Sequence, residues 1–208
     1  MDLLDLFSEA LLSTEAVLFE KEDATQRYGK TTFSEDIAID FAVQVTNESA
    51  IPKLLRLANE GKFYIYPIST GNNWGYGSVQ NTPINGPRVV VDLGQMKAIV
   101  PTNRKAGLIT LQPGVTQQDL FDYLEKNNWP FMVPVTGAGP QCSVLSNALE
   151  RGYGITPRTD HFAAVNALKA YLPHPELCSE KFESAVSNLD GSGLDFIDKS
   201  FKWGLGPY

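Results

Sequence analysis

A chain of 208 residues has room for one large domain or two small ones, and its 43% hydrophobic and 20% charged residues are ordinary for a soluble globular protein. A formal net charge of −7 without any Lys/Arg run excludes a nucleic-acid surface, which needs a local excess of cations. Cys142 and Cys178 are the only cysteines, too few for a disulfide framework or a four-cysteine zinc site, so no metal is expected and a reduced, cytoplasmic setting is the simplest. The acidic opening residues lack the basic start and apolar core of a signal peptide. No apolar run approaches the roughly 20 residues that span a bilayer, so no membrane partner is expected.

Taken in order, residues 1–36 read as an N-terminal helical arm in which Leu3, Leu4, Phe7, Leu11 and Leu12 recur at helical spacing. Residues 37–45 are apolar-rich and predict a strand. Asn47, Glu48 and Ser49 offer capping chemistry for a helix over residues 50–59, which Gly61 would end. A second strand is predicted over 63–68, leading into a glycine-rich segment, and a third over 89–93. Strand, helix, strand, loop, strand suits a small α/β lobe with one crossover, spanning 37–104.

The pattern then restarts in a second lobe, 105–208. Residues 108–112 predict a strand, Pro113 and Gly114 a turn, and Thr116 a cap for a helix with Leu120, Phe121 and Leu124 on one face. A flexible loop follows at Gly137, Ala138, Gly139 and Pro140. A short helix is expected over 143–149, ended by Gly152 and Gly154, then a strand over 165–172 and a polar, loop-rich tail.

The chemistry concentrates in residues 67–77: Pro67, Ile68, Ser69, Thr70, Gly71, Asn72, Asn73, Trp74, Gly75, Tyr76 and Gly77. Glycines after a strand let backbone approach a ligand closely, and successive N–H groups can converge on an anion. Ser69, Thr70, Asn72 and Asn73 add short donors, and no carboxylate repels phosphate. The bland reading is a turn that merely needs glycine. Neither the Gly-x-Gly-x-x-Gly spacing nor a phosphate-loop Lys is present, and residues 137–142 place Cys142 where a third glycine belongs, so a Rossmann site does not fit.

The segment resembles the pyrophosphate loop of the vanillyl-alcohol oxidase and p-cresol methylhydroxylase flavoproteins. Three further stretches continue the resemblance in order: residues 112–116 with Leu120, Tyr123 and Leu124; residues 147–152 with Gly154, Thr156, Pro157, Asp160 and His161; and the tail 201–208. The resemblance implies an α+β, two-lobed PCMH-type FAD-binding domain. Backbone from Ser69 to Gly75 would hold the FAD pyrophosphate, with Tyr76 and Gly77 shaping the end of the loop. Thr136, Gly137, Gly139, Ser143, Asn147, Glu150, Gly152 and Gly154 would line the isoalloxazine and ribityl chain, the glycines leaving room for the cofactor. The activity implied is hydride transfer from an organic substrate, phenolic or alcohol, to flavin N5.

The chain departs from that pattern in three ways. Some relatives attach FAD through a histidine in the pyrophosphate loop; Asn73 or a neighbour stands there, which implies non-covalent FAD. The carboxylate carried near the flavin by vanillyl-alcohol oxidase-like members has no counterpart around residues 137–139. The family's flavin domain and substrate cap continue past the segment that ends at Tyr208, so the second lobe reads as C-terminally incomplete and small-molecule substrate contacts as lying in a further cap region. A homodimer or a cap-bearing partner chain would cover exposed strand edges. The alternative function is a non-catalytic FAD-binding module or subunit working with such a chain; a degenerate interaction domain is the third, against which the intact 67–77 pattern speaks.

Individual side chains have competing roles. His161, beside Asp160, is either an oriented general base or a loop histidine fixing backbone. His174, between prolines, is expected exposed. Cys142 is either a flavin attachment point or a small buried thiol. Trp74 and Tyr76 could stack on the cofactor or pack between lobes. Glu150 and Arg151 could form an exposed helix-end pair.

Overall fold

The structure, a computed structural model, describes residues 3–31, 37–72, 86–152, 154 and 161–178, and the backbone of 181–183. Two compact units form: Met1–Met96 with Tyr171–Glu180, and Lys97–Ala170 with Lys181–Tyr208.

The first unit is built on a four-stranded sheet of order β1-β2-β4-β3. Strands β2 (Phe41–Val45), β4 (Arg88–Asp92) and β3 (Tyr64–Ile68) run parallel, and β1 (Ala16–Glu20) pairs antiparallel with β2. The central strands carry near-continuous apolar runs because both faces are covered. Phe41, Val43, Val45, Val89 and Val91 point to one face, where α1 (Leu3–Ala10) contributes Phe7 and α3 (Ala50–Gly61) contributes Leu54 and Leu57. Phe7 stacks on Phe41, ring centroids 4.9 Å apart. Ala42 and Val90 point to the other face, where Ala24 of α2 (Lys21–Tyr28) packs with Ile37 and Ile39.

The expected arm is therefore no appendage, since β1 and α2 lie within it and β1 completes the sheet. The strand expected over 37–45 is confined to Phe41–Val45. Helix α3 is preceded by Asn47, whose Oδ1 accepts from Ser49 N at 3.0 Å, while the Ser49 hydroxyl turns to Glu15 at 2.6 Å. Lys53 closes on the same carboxylate at 2.7 Å, and these donors hold Glu15 at a pKa of about 2. Residues after 170 rejoin this unit: Tyr171 donates to Glu48 at 2.9 Å and Asn59 to the Pro173 carbonyl at 3.2 Å.

The second unit begins with an antiparallel pair, β5 (Ile99–Asn103) and β6 (Leu108–Leu111). Because β5 pairs with β6, the division between units falls after Met96, ahead of the boundary near 104 that the sequence pattern suggested. Helix α4 (Gln117–Lys126) packs Leu120 and Leu124 with Val115, Trp129 and Val133. Its start is a full capping box: Thr116 Oγ accepts from Asp119 N, and the Asp119 carboxylate accepts from Thr116 N, each at 3.0 Å. Helix α5 (Val144–Leu149) is short, and a 3-10 turn, Phe162–Ala164, follows. The last strand expected over 165–172 is confined to β7 (Lys169–Tyr171), which pairs with β8 (Lys181–Glu183).

Candidate functional site

In the first unit, chain order and register bring the start of the glycine-rich segment to the carboxyl ends of three parallel strands, the edge at which open α/β sheets bind ligands. Ile68 lies opposite Asp92, and Leu93 N donates back to the Ile68 carbonyl at 2.8 Å. Ser69 is buried immediately beyond, Thr70 is half-buried, and Gly71 and Asn72 are exposed. Gly71 has φ +69°, a conformation that glycine adopts without strain. Asn73, Trp74, Gly75, Tyr76 and Gly77 lie outside the described residues.

Beneath this point sits a polar network that sequence reasoning missed. Buried Asp92 accepts from Tyr28 Oη at 2.8 Å, Gln44 Nε2 at 3.0 Å and Gly94 N at 2.7 Å. Burial, and then the Asp92 carboxylate, push the Tyr28 hydroxyl well above the usual tyrosine range. A Cβ on Gly94 would meet the Ser69 carbonyl oxygen at 2.7 Å and Asp92 Oδ1 at 2.9 Å. The Asp92–Gly94 turn thus fits directly under the residue from which the glycine-rich segment departs.

In the second unit, α4 and α5 begin side by side through a bridge between Thr116 and Ser143. Ser143 is almost fully buried; its hydroxyl donates to the Pro113 carbonyl at 2.7 Å and accepts from Ser146 N at 3.2 Å. That hydroxyl is committed to holding the turn at Pro113 against α5. The loop 136–142 is tied down by Gln117 N to the Cys142 carbonyl at 3.0 Å and Gln118 N to the Pro140 carbonyl at 2.9 Å. Within it, Ala138 N donates to Thr136 Oγ1 at 2.9 Å, Gly137 is exposed, and Gly139 has φ +94° with open space where a Cβ would lie. Cys142 is buried, and that burial raises its thiol pKa, which disfavours the thiolate an attachment point needs.

Asn147, Gly152, Gly154 and His161 come together, and the two glycines have a packing reason of their own. His161 is buried, with Nδ1 hydrogen-bonded to Asn147 Oδ1. A Cβ on Gly152 would run into the Asn147 carboxamide, and one on Gly154 would reach His161 Nε2 at 2.5 Å and the Val135 carbonyl at 3.1 Å. These glycines make room for the Asn147–His161 pair. Gly152 N closes on the Asn147 carbonyl at 2.8 Å, reversing the chain after α5. Glu150 is exposed, and exposed Arg151, at φ +52°, lies 4.4 Å over the Phe162 ring. Asp160 lies outside the described residues; His174 is exposed.

No cluster of three or more His, Cys, Asp or Glu suited to a metal occurs among the described residues. No helix among them is long and apolar enough to cross a membrane. Within the first unit, the carboxylate-free backbone that leaves the strand ends suits a phosphate-bearing cofactor; within the second, the loop opens onto space at Gly139.

Residues 39–177 match the family described as FAD binding domain, and the chain belongs to that family. Its fold is that of PCMH-type FAD-binding domains. The chain is similar to the 4-cresol dehydrogenase (hydroxylating) flavoprotein subunit of Pseudomonas putida, 29% identical over 201 residues, 95% of this chain and 37% of that protein. It is also similar to the 1'-carboxy-chondrochloren decarboxylase of Chondromyces crocatus, 28% identical over 186 residues, 89% of this chain and 33% of that one. Among solved structures, p-cresol methylhydroxylase with substrate bound superposes with a TM-score of 0.75 at 26% identity, over 98% of this chain and 38% of its own. The 4-ethylphenol oxidase from Gulosibacter chungangensis shares the fold, with a TM-score of 0.74 at 22% identity, over 91% and 35%. The chain spans about a third of the length of the curated relatives it matches.

Proposed function

We propose that this chain is the cofactor-binding part of a flavin-linked oxidoreductase acting on an organic substrate of the para-substituted phenol class. The observation that carries the reading is the family match over 39–177, together with a carboxylate-free segment departing from the parallel strand ends at Ser69. FAD, when bound, supplies a hydride acceptor at N5. The chain's own contribution is positional: backbone from Ser69 onward holds pyrophosphate, and the 136–154 stretch orients the flavin. The absence of histidine from residues 67–77 supports non-covalent retention by this loop.

A second reading is favoured by one specific fact. The Pseudomonas putida relative is named a flavoprotein subunit. On this reading the chain binds FAD but turns over substrate only beside a partner or cap-bearing polypeptide.

The test is to load the protein with FAD, add 4-cresol without oxygen, and follow the flavin absorbance. Bleaching supports the oxidoreductase reading. Bleaching only after a partner chain is added supports the subunit reading. Retained FAD with no bleaching under either condition contradicts both. Acid precipitation should release all the flavin into the supernatant; a yellow pellet would contradict non-covalent retention.

A further inference from the structure

The side chain of Gln117 opens α4 and is 3% exposed. Its Oε1 accepts from Thr136 N at 3.2 Å, at the start of the 136–142 loop. Its backbone N–H donates to the Cys142 carbonyl at 3.0 Å, at the end of that loop. One residue therefore holds both ends. Its Nε2 is buried and has no hydrogen-bond partner among the described residues. Exchanging the carboxamide's oxygen and nitrogen would place an N–H against the Thr136 N–H, so the orientation is fixed by the bond it already makes.

A buried amide donor without an acceptor costs about 1–3 kcal/mol, and such groups call for a specific reason. Ser143, equally buried alongside, has its hydrogen-bonding capacity filled by Pro113 and Ser146. The unfilled donor lies under the same loop that presents Gly139 to open space. We propose that Gln117 is a cofactor-positioning residue, whose Oε1 holds the 136–142 loop and whose enclosed Nε2 gains an acceptor oxygen as that loop settles onto bound FAD. The proposal rests on the reading that the 136–154 stretch is the flavin-facing part of the chain. Through Gln117, filling the site stiffens the loop against α4, so part of the affinity for FAD comes from a residue beneath the binding surface.

The test has three arms on the full protein. FAD titration of the wild type by quenching of flavin fluorescence comes first; if no FAD binds, the flavin reading itself fails and this proposal falls with it. Gln117→Met keeps side-chain length and removes the amide. Its FAD affinity should fall about tenfold, the amount one unmade buried hydrogen bond accounts for. Unchanged affinity, with only a lowered melting temperature of the cofactor-free protein, would mean that Gln117 is merely structural and would overturn the proposal. The third arm does not depend on the variant folding: the side-chain amide protons of Gln117, followed by NMR in the wild type, should move downfield and exchange more slowly as FAD is added. Resonances that stay in place while FAD saturates the protein would overturn it.

Discussion

His161 Nδ1 is hydrogen-bonded to Asn147 Oδ1, and the glycines at 152 and 154 leave the space that this pair fills. The glycines at 152 and 154 thus answer to a buried imidazole and its amide partner, whatever lies on their other side. Gly152→Ala and Gly154→Ala should each destabilise the protein by about 1–3 kcal/mol, the cost of forcing atoms into a filled site. Chemical denaturation checks the loss. Combining Gly152→Ala with Asn147→Ala should cost less than the sum of the two single changes, because the first clash disappears with the carboxamide.

Asp92 binds Tyr28, Gln44 and Gly94 under the residue from which the glycine-rich segment leaves the sheet. Asp92→Ala leaves two half-buried side-chain donors and the Gly94 N–H without their acceptor and should cost about 2–3 kcal/mol, whereas Tyr28→Phe removes a single bond and should cost about 1 kcal/mol. Equal losses in denaturant midpoint would contradict this ordering.

Gly94→Ala separates fold from cofactor binding. Its Cβ would press on the Ser69 carbonyl oxygen, so FAD should bind more weakly even where the variant remains folded by circular dichroism. Wild-type affinity in a folded Gly94→Ala protein would show that the position of Ser69 is unimportant to the site.

Glu15 gives the acid dependence. Its pKa is lowered from 4.5 to about 2 by hydrogen bonds from Lys53, Ser49 and the Leu12 backbone. A depressed folded-state pKa contributes stability that is present above about 4.5 and is lost as pH falls toward about 2. Lys53 is one-third exposed, so solvent screening limits the contribution to about 1 kcal/mol. Thermal unfolding of Glu15→Gln should show a lower midpoint at neutral pH and a shallower fall across that acid window.

Local signals in the sequence were reliable where the structure is local. Thr116 caps the helix expected after it, and Ser143 starts the helix expected there. Val89, Val90 and Val91 form a buried central strand, as a continuous apolar run should. Strand β1 was not legible because Ala16, Val17, Leu18, Phe19 and Glu20 make a short run that suits helix or strand equally, and only pairing with β2 decides. Helix α2 buries only Ala24 and so lacks an apolar stripe. Strand β5 was not anticipated; its Pro101 sits on an edge strand, where proline is tolerated. At the site, the Asn147–His161 and Asp92–Tyr28 pairs join residues far apart in sequence, which no spacing rule anticipates. Gln117 carries no signal in the sequence, since an unpaired donor exists only once its surroundings are built.

The central claim is that this chain itself holds FAD, and equilibrium binding of FAD to the purified protein tests it most directly. The account predicts saturable uptake of one FAD per chain, quenched flavin fluorescence and a raised melting temperature. A folded protein whose melting temperature and flavin fluorescence stay unchanged across the whole titration would contradict it.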